Sequence, residues 1–365
     1  MEMESKKKKR NLHIPDDIIF NILRRLPPKS LARFKCVCKS WRSFANQHKY
    51  HNQKLILFSS YTIQSVDFEA DEIKAVDIDF PIKVSSYPIL GIASCNGLLC
   101  ILNEGKGLVI WNPLIRRYKS VSNTSEYDKF GFWYDHSTDN YKILRFMRFS
   151  DDPNSERKRY SAEIYSQKSN SWQQKEILPC QIFSILGYPH RANSLFGVLV
   201  NETLYWKIRY INNDKKYIPA VLCFDTLNEK FDVIISPDNV HDFDLGVFKG
   251  HLCLVENHRA GHIDMWTREV GKNQNWIKFM NLPLPPFLEG KSPFDYYFYL
   301  VPIWSMKEDE ILVSVRQLFT LLPGRREEEF LLYNPEAKIY KKFHICDTMK
   351  HLFNQTTHTD SLVSP

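Results

Sequence analysis

Residues 110–118 read IWNPLIRRY. An apolar run ends at the aromatic Trp111, the dipeptide Asn112-Pro113 follows, and a second run leads to Tyr118. Asparagine hydrogen-bonds its own backbone in turns and proline fixes φ, so this dipeptide is typical of a turn. Aromatic and branched aliphatic residues on both sides favour strands. The stretch therefore predicts a β-hairpin.

The same pattern recurs in five other places. Each copy has an apolar strand, a turn that contains Asp, Asn, Ser or Glu, and a second strand that opens with charged or aromatic residues. The aromatic residues that mark the six copies are Phe68, Trp111, Tyr165, Phe224, Trp266 and Tyr333.

These aromatic residues are 43, 54, 59, 42 and 67 residues apart. The intervals lie near the roughly 40–50 residues of a four-stranded propeller blade, with some long insertions. We therefore expect an all-β domain over residues 54–347 that forms a six-bladed β-propeller. A β-sandwich is the competing fold, but six regular hairpins are many for one sandwich.

The composition is that of a soluble globular protein, with 43% hydrophobic and 25% charged residues. No run of about 18 apolar residues occurs, so we expect no membrane-spanning helix and no membrane contact. The N-terminus is too polar for a signal peptide, because no apolar segment follows its basic run. These features predict a cytoplasmic and/or nuclear location.

The net charge of +7 is mostly local. Residues Lys6–Arg10 supply +5, and 7 − 5 leaves about +2 on the rest of the chain. Nucleic-acid binding requires a basic face on the folded domain, so we predict no nucleic-acid partner. Residues 1–11 are interpreted as a basic flexible tail, with a nuclear-import signal as the other interpretation of the same run.

Neither a metal nor a cofactor is predicted. The one notable group of potential ligands, His251, Cys253, His258 and His262, lies on a strand and its loop without metal-ligand spacing. A catalytic propeller would need paired carboxylates or a ligand cluster at its central channel. Motifs such as Gly-x-Ser-x-Gly and His-Glu-x-x-His do not occur. We therefore expect a non-catalytic protein.

Residues 12–52 predict three short helices. Pro15-Asp16-Asp17 is a helix start, because proline suits the first turn and carboxylates favour the positive end of the helix dipole. Apolar residues recur at helical spacing as far as Leu26, and Pro27-Pro28 ends the helix. So small a module cannot bury all its large side chains. The surplus apolar stripe must face either the following domain or a partner protein.

The residues of this module resemble the plant F-box. Residues 14–18 read IPDDI and residues 22–41 read ILRRLPPKSLARFKCVCKSW. The departures are Ile14, where leucine is usual, and Asn21, where glutamate is usual. The resemblance implies binding to a Skp1-type adaptor, and through it to a cullin and a RING subunit. The residues that would carry this contact are Pro15, Ile18, Ile22, Leu26, Pro27, Leu31, Val37 and Trp41.

The remaining chain is similar to the type 1 F-box-associated domain. The motifs are SCNGLLC (94–100), FGFWYD (130–135) and GVLVN with LYW (197–206). This group includes S-locus F-box proteins and regulators of defence-receptor turnover. Together the two resemblances imply a substrate-receptor subunit of an SCF-type E3 ubiquitin ligase, with an unknown protein as substrate. A propeller scaffold that binds the adaptor or another partner without ubiquitination is the alternative.

Short, similar turns are predicted on one face of the ring, and longer connections on the other. The longer connections are residues 148–160, 178–195, 208–218, 283–300 and 317–328. Irregular loops on a rigid scaffold usually carry specificity, and tyrosine and arginine are enriched at energetic hot spots. The candidate substrate-binding residues are therefore Arg157, Arg159, Tyr160, Arg209, Tyr210, Tyr296, Tyr297, Tyr299, Arg325 and Arg326. Residues 348–365 are expected to form a flexible tail.

Overall fold

A computed structural model describes the chain in separate stretches. They are residues 15–24, 26, 30–31, 34, 36–41, 53–68, 70, 72–80, 88–121, 129–149, 159–179, 181–185, 195–258, 262–268, 275–283, 285–286, 296–305, 310–319, 326–346, 354–359, 361 and 363–365. The predicted basic tail, residues 1–11, lies outside them. None of the helical segments in these stretches is long and apolar enough to cross a lipid bilayer.

One helix of the N-terminal module has both ends within the described residues. It is α1 (Asp16–Arg24), which begins where Pro15-Asp16-Asp17 predicts a start. The carbonyl oxygen of Pro15 accepts hydrogen bonds from the amides of Ile18 and Ile19, both 3.1 Å long. The second and third predicted helices fall largely outside the described residues.

The described strands form six antiparallel sheets, which we number as blades 1–6 in chain order. Blade 1 contains β1 (Gln53–Phe58), β2 (Ile63–Asp67) and β3 (Ala75–Asp77). Blade 2 contains β4 (Ile89–Cys95), β5 (Leu98–Asn103), β6 (Gly107–Asn112) and β7 (Arg117–Val121). Blade 3 contains β8 (Lys129–Asp135), β9 (Asn140–Phe149), β10 (Arg159–Ser166) and β11 (Ser171–Ile177).

Blade 4 contains β12 (Ile182–Ile185), β13 (Val198–Val200), β14 (Thr203–Ile211), β15 (Tyr217–Asp225) and β16 (Lys230–Ile235). Blade 5 contains β17 (Asp244–Phe248), β18 (His251–His258), β19 (His262–Arg268) and β20 (Trp276–Pro283). Blade 6 contains β21 (Tyr296–Ser305), β22 (Ile311–Phe319), β23 (Arg326–Asn334) and β24 (Ile339–Phe343). The last strand, β25 (Asn354–Thr359), joins blade 1 beside β1.

The predicted six-bladed propeller is confirmed. Each of the six hairpins recognised in the sequence forms the last two strands of one blade, from β2–β3 in blade 1 to β23–β24 in blade 6. Each pair of neighbouring blades packs around its own apolar cluster, including the pair that closes the ring, blades 6 and 1. Each cluster contains a buried apolar side chain. For blades 1–2, 2–3, 3–4, 4–5, 5–6 and 6–1 in turn, examples are Trp111, Ile143, Trp133, Leu254, Val313 and Leu312.

The turns between the third and fourth strands, which we call the outer turns, have a common local structure in blades 4 and 6. The first side chain caps the turn: Oδ1 of Asp225 accepts from the amides of Leu227 (2.8 Å) and Asn228 (3.1 Å), and Oδ1 of Asn334 accepts from Ala337 (2.8 Å). The last residue adopts positive φ, 51° at Glu229. This self-bonding of Asp and Asn explains why the turns could be recognised in the sequence.

The prediction of a flexible tail over residues 348–365 is wrong for residues 354–359, which form β25. Its six residues pair with all six residues of β1, from Gln53↔Thr359 to Phe58↔Asn354. Strand β1 is almost fully buried from Leu55 to Phe58, and without β25 its inner edge would hold unpaired backbone groups, which are costly in a buried strand. The sequence of β25 contains no apolar alternation, so its pairing depends on this long-range requirement.

Strand alternation separates the connections onto two faces. One, which we call the turn face, carries the turns between the first and second and between the third and fourth strands of each blade. The other, which we call the connection face, carries the links between second and third strands and between blades. The predicted turns 135–140, 166–170, 225–228 and 334–338 therefore all lie on the turn face, as expected.

Candidate adaptor-docking surface and recognition face

Helix α1 has two apolar sides. Ile19 and Leu23 are four residues apart and face inward, where Leu23 is fully buried. Ile18 and Ile22 are also four residues apart, but 47% and 54% of their surfaces are exposed. Residues at this spacing share a helix face. Val37 is also exposed, at 58%, and we call these three exposed aliphatic residues the docking stripe.

The inward side of α1 packs within a small core. Leu23 and Leu31 are its buried centre, and Phe34 meets Trp41 edge to face at 5.6 Å. The core is completed by Leu114 and Ile115, which belong to the outer turn of blade 2. We call this pair the seat. The helical module therefore contacts the propeller on the turn face.

The seat is held by Asn112, a fully buried polar residue. Its Oδ1 accepts from the amides of Leu114 (2.9 Å) and Ile115 (3.3 Å). Its Nδ2 donates to the carbonyl oxygens of Ser361 (3.0 Å) and Val363 (2.7 Å). One side chain thus connects the seat to the segment that follows β25.

Not all predicted adaptor contacts lie on the docking stripe. Pro15, Ile18, Ile22 and Val37 are exposed, whereas Leu26 and Trp41 are half-buried against the core around Leu23. Pro27 lies outside the described residues.

Leu31 requires a correction. It is 0% exposed and is part of the core itself, so it has no surface to offer a partner in this arrangement. Sequence reasoning missed the seat, although a signal exists. Two consecutive aliphatic residues stand in this turn, whereas the equivalent pairs Leu227-Asn228 and Glu336-Ala337 contain at most one large aliphatic residue, and adjacent apolar residues in a surface turn usually mark a contact.

The candidate substrate-binding residues that the structure describes belong to strand ends at the connection face, and one of them requires a correction. Tyr160 is buried between blades 3 and 4, where its hydroxyl lies 3.4 Å from the amide of Ile185. Tyr160 is therefore a core residue, and the burial of its aromatic ring stabilises the packing of the two blades. Arg159 is half-buried with its guanidinium 5.8 Å from the centre of the Phe149 ring.

The other candidates are mostly on strand ends and not on loops. Arg209 is exposed and Tyr210 is half-buried on β14, which continues to Ile211. Tyr296, Tyr297 and Tyr299 lie in β21, and Arg326 is the first residue of β23. Arg157 and Arg325 lie outside the described residues. The connections are shorter than expected, because the strands of blades 4 and 6 extend further toward this face.

Asp135 lies at the centre of a charged network on the turn face. Burial alone would raise the pKa of Asp135, but its ion pair with Lys142 (2.8 Å) and hydrogen bonds from Ser137 and Thr138 hold this pKa well below its usual range. Lys142 also contacts Glu229 of blade 4 at 3.0 Å. These contacts join the turns of blades 3 and 4 and are structural.

The buried thiols are poor nucleophiles. Burial raises the pKa of Cys223 and of Cys253 to about 12, and raises that of Cys100 further. A cysteine that carries ubiquitin covalently must ionise readily near pH 7. These three thiols remain protonated there, which agrees with a structural role.

The four potential ligands noted in the sequence do not all come together in the structure. They are His251, Cys253, His258 and His262. His251 is exposed at the turn-face end of β18, and Cys253 is buried between blades 5 and 6. His258 and His262 meet at the connection face, joined by Asp264, which the sequence pattern did not include.

Comparison with known families agrees with this architecture. Residues 53–365 match the family described as F-box associated beta propeller domain, and residues 11–53 match the F-box domain. The chain belongs to the F-box associated β-propeller family. The family matches confirm both resemblances noted in the sequence, to the F-box and to the F-box-associated domain. The two family matches meet at Gln53, the first residue of β1.

Relatives of this F-box chain occur in Arabidopsis thaliana. It is 25% identical to F-box protein CPR1, over 83% of this chain and 79% of that protein. It is 26% identical to an F-box/kelch-repeat protein, over 74% of this chain and 80% of the relative. Among solved structures, the β-propeller domain of the Trilobed protease from Pyrococcus furiosus is 10% identical with a TM-score of 0.42, over 80% of this chain and 79% of that one.

Proposed function

We propose that the chain is the substrate-receptor subunit of an SCF-type E3 ubiquitin ligase. The docking stripe would bind the Skp1-type adaptor, which joins the cullin and RING subunits, and the connection face would bind a protein substrate. The proposed site of action is the cytoplasm and/or the nucleus. The F-box family match and the relatives named as F-box proteins support the class of function.

The observation that carries the proposal is the exposure of Ile18 and Ile22. Ile18 and Ile22 lie on one helix face and are each about half exposed. A partner that buried the exposed half of each side chain would gain about 1 kcal/mol per residue. An amphipathic helix that presents such anchors is the usual element of a helix-in-groove contact.

The placement of the two surfaces fits a receptor. The helical module contacts the turn face through Leu114 and Ile115, and the proposed recognition surface is the opposite face. A substrate bound there is held at a fixed distance from the subunits on the adaptor side. The receptor then supplies effective concentration, and the reaction chemistry belongs to the other subunits.

The first experiment measures adaptor binding. The double variant Ile18→Asp/Ile22→Asp should lose co-purification with a Skp1-type adaptor while its thermal unfolding midpoint stays unchanged, because both side chains point to solvent. Val76→Asp, an equally exposed aliphatic residue on β3, is the matched control and should bind normally. Full adaptor binding by the double variant, or by a chain lacking residues 1–52, would overturn the docking assignment.

A second experiment separates the receptor from the scaffold. The chain, reconstituted with adaptor, cullin, RING subunit and a ubiquitin-charged carrier enzyme, should promote ubiquitin transfer to proteins that co-purify with it from proteasome-inhibited extract. The Ile18→Asp/Ile22→Asp variant should not. Adaptor binding without any ubiquitin transfer would favour the non-ligase scaffold.

A further inference from the structure

The hairpin β18–β19 carries two polar cross-strand pairs at its connection-face end. His258 lies directly opposite His262, and Glu256 lies directly opposite Asp264. Side chains two residues apart in a strand point to the same side of the sheet. All four therefore converge on one side of the hairpin, the side where Leu254 and Trp266 pack toward blade 4.

His258 lies at the centre of the group, with ligand atoms of both carboxylates close to its ring. Nε2 of His258 lies 3.0 Å from Oδ2 of Asp264 and 3.3 Å from Oε2 of Glu256. Nε2 of His262 lies 3.8 Å from the same Asp264 oxygen. Ligand atoms at about 2.0–2.2 Å from one tetrahedral zinc ion lie roughly 3.3–3.6 Å apart. The observed separations are close to this range.

The two imidazole rings are stacked side by side. Their centres are 4.3 Å apart with an interplanar angle of 18°. Because an imidazole binds a metal ion in the plane of its ring, one ring must turn about its side-chain bonds for both Nε2 atoms to bind the same ion. The ligand atoms of His258, His262 and Asp264 all lie within 4.8 Å of one another. Asp264 and Glu256 are largely buried, and the imidazoles are part-exposed at the mouth of the cluster.

We propose that His258, His262 and Asp264 bind a divalent transition-metal ion of the zinc type, with Glu256 as the fourth ligand. Two neutral imidazoles and carboxylates are a donor set suited to zinc and its neighbours. Magnesium and calcium prefer oxygen ligands alone, so they are not expected to compete.

Two further residues adjust the site through Asp264. Nδ2 of Asn281 donates to Oδ1 of Asp264 at 2.8 Å, which leaves Oδ2 directed at the imidazoles. Such outer hydrogen bonds orient metal-ligating carboxylates. Nζ of Lys278 lies 2.6 Å from that Oδ2 and thus takes the place of a cation. Its side chain is partly exposed, so it can turn away when a metal ion binds.

The bound ion would act on the connection face. His258 and His262 are the residues on either side of the short link 259–261. A metal ion between them would tie the ends of β18 and β19 together at the connection face. This inference concerns the propeller alone and does not depend on adaptor binding.

The experiment measures metal binding to the purified full chain by equilibrium dialysis with Zn²⁺ and by the visible absorption of Co²⁺. We expect one bound ion per chain, tetrahedral cobalt absorption, and no competition from Mg²⁺. His258→Ala and His262→Ala should each weaken binding by at least about 100-fold, more than loss of an outer partner. The matched control His251→Ala, at the other end of β18, should bind as the parent chain does.

The variant Lys278→Met distinguishes loss of a ligand from misfolding, because misfolding would weaken metal binding and this variant should strengthen it. It removes the competing ammonium group, so it should tighten Zn²⁺ binding. No stoichiometric binding by the parent chain, equal binding by the His262→Ala variant, or weaker binding by Lys278→Met would each overturn the proposal. In that case the cluster is an ion-pair network only.

Discussion

The indole Nε1 of Trp206 in blade 4 donates a 2.9 Å hydrogen bond to the carbonyl oxygen of Phe130 in blade 3. The same oxygen accepts the amide of Gly197 at 2.7 Å. Trp206 is buried and meets the ring of Phe146 edge to face at 4.9 Å. The bond therefore joins two blades. It lies at the point where the pairing partner of β14 changes from β13 to β12.

Trp206→Phe should lower the free energy of unfolding by about 2–3 kcal/mol, because it removes a buried hydrogen bond and leaves a small cavity. Trp276→Phe is the matched control. Trp276 also donates to a backbone carbonyl, that of Ile235, but at the surface, so its replacement should change stability by under about 1 kcal/mol. Equal losses in urea unfolding of the two variants would contradict this account.

Gly131→Ala should destabilise the propeller through overpacking. A Cβ at Gly131 would lie 2.6 Å from Cδ1 of Leu204 and 2.8 Å from Cζ2 of Trp206, and such crowding usually costs about 1–3 kcal/mol. Gly246→Ala, in β17, is the control, since a Cβ there meets nothing within 4 Å. Urea denaturation should show no loss of stability for that variant.

Removal of residues 354–365 should open the ring. The deletion takes away β25, its pairing with β1, and the hydrogen bond between Nδ1 of His358 and Oγ of Ser94 in blade 2 (3.0 Å). Loss of a buried strand ladder is expected to cost about 3 kcal/mol or more. Deletion of Ser364-Pro365 alone should leave the thermal midpoint nearly unchanged. A stable propeller without residues 354–365 would show that β25 does not close it.

Replacement of the seat should loosen the helical module and not the ring. Leu114→Ser/Ile115→Ser removes two aliphatic contacts worth about 1–2 kcal/mol in total, which corresponds to roughly 5- to 30-fold faster hydrogen exchange in α1. Leu227→Ser is the matched control, because Leu227 occupies the position of Leu114 in the turn of blade 4 but is exposed. Unchanged exchange in α1 would show that the seat does not hold the module.

Asp135 should make stability depend on acidity. Its folded-state pKa lies below the unfolded value of about 3.9, so its contribution is present above about pH 4 and is lost as the pH falls below that value. Asp135→Asn should be less stable at pH 7 but should lose less between pH 5 and pH 3.5. Lys142→Met, which removes the main counter-charge, should flatten the same part of the profile. Parallel profiles for parent and variants in urea titrations would refute this role.

Much of the fold was predictable because it depends on local chemistry. Turns such as Asp225–Glu229 are specified by a side chain that bonds the backbone two residues on, so six hairpins could be found without any knowledge of their neighbours. Candidate site residues were less predictable. Tyr160 was predicted to lie in a loop, yet it belongs to the core, because β10 begins at Arg159 and Tyr160 packs against blade 4.

The repeat, the F-box motif and the amphipathic α1 could be recognised in the sequence, since each depends on residues close together in the chain. Three long-range contacts became visible only in the folded ring: β25 closes blade 1, Asn112 binds the backbone at Val363, and Asp264 joins His258 and His262. Asn112 and Val363 are 251 positions apart. Such pairings depend on which buried polar groups still need partners once the ring has formed, and no local pattern carries that information.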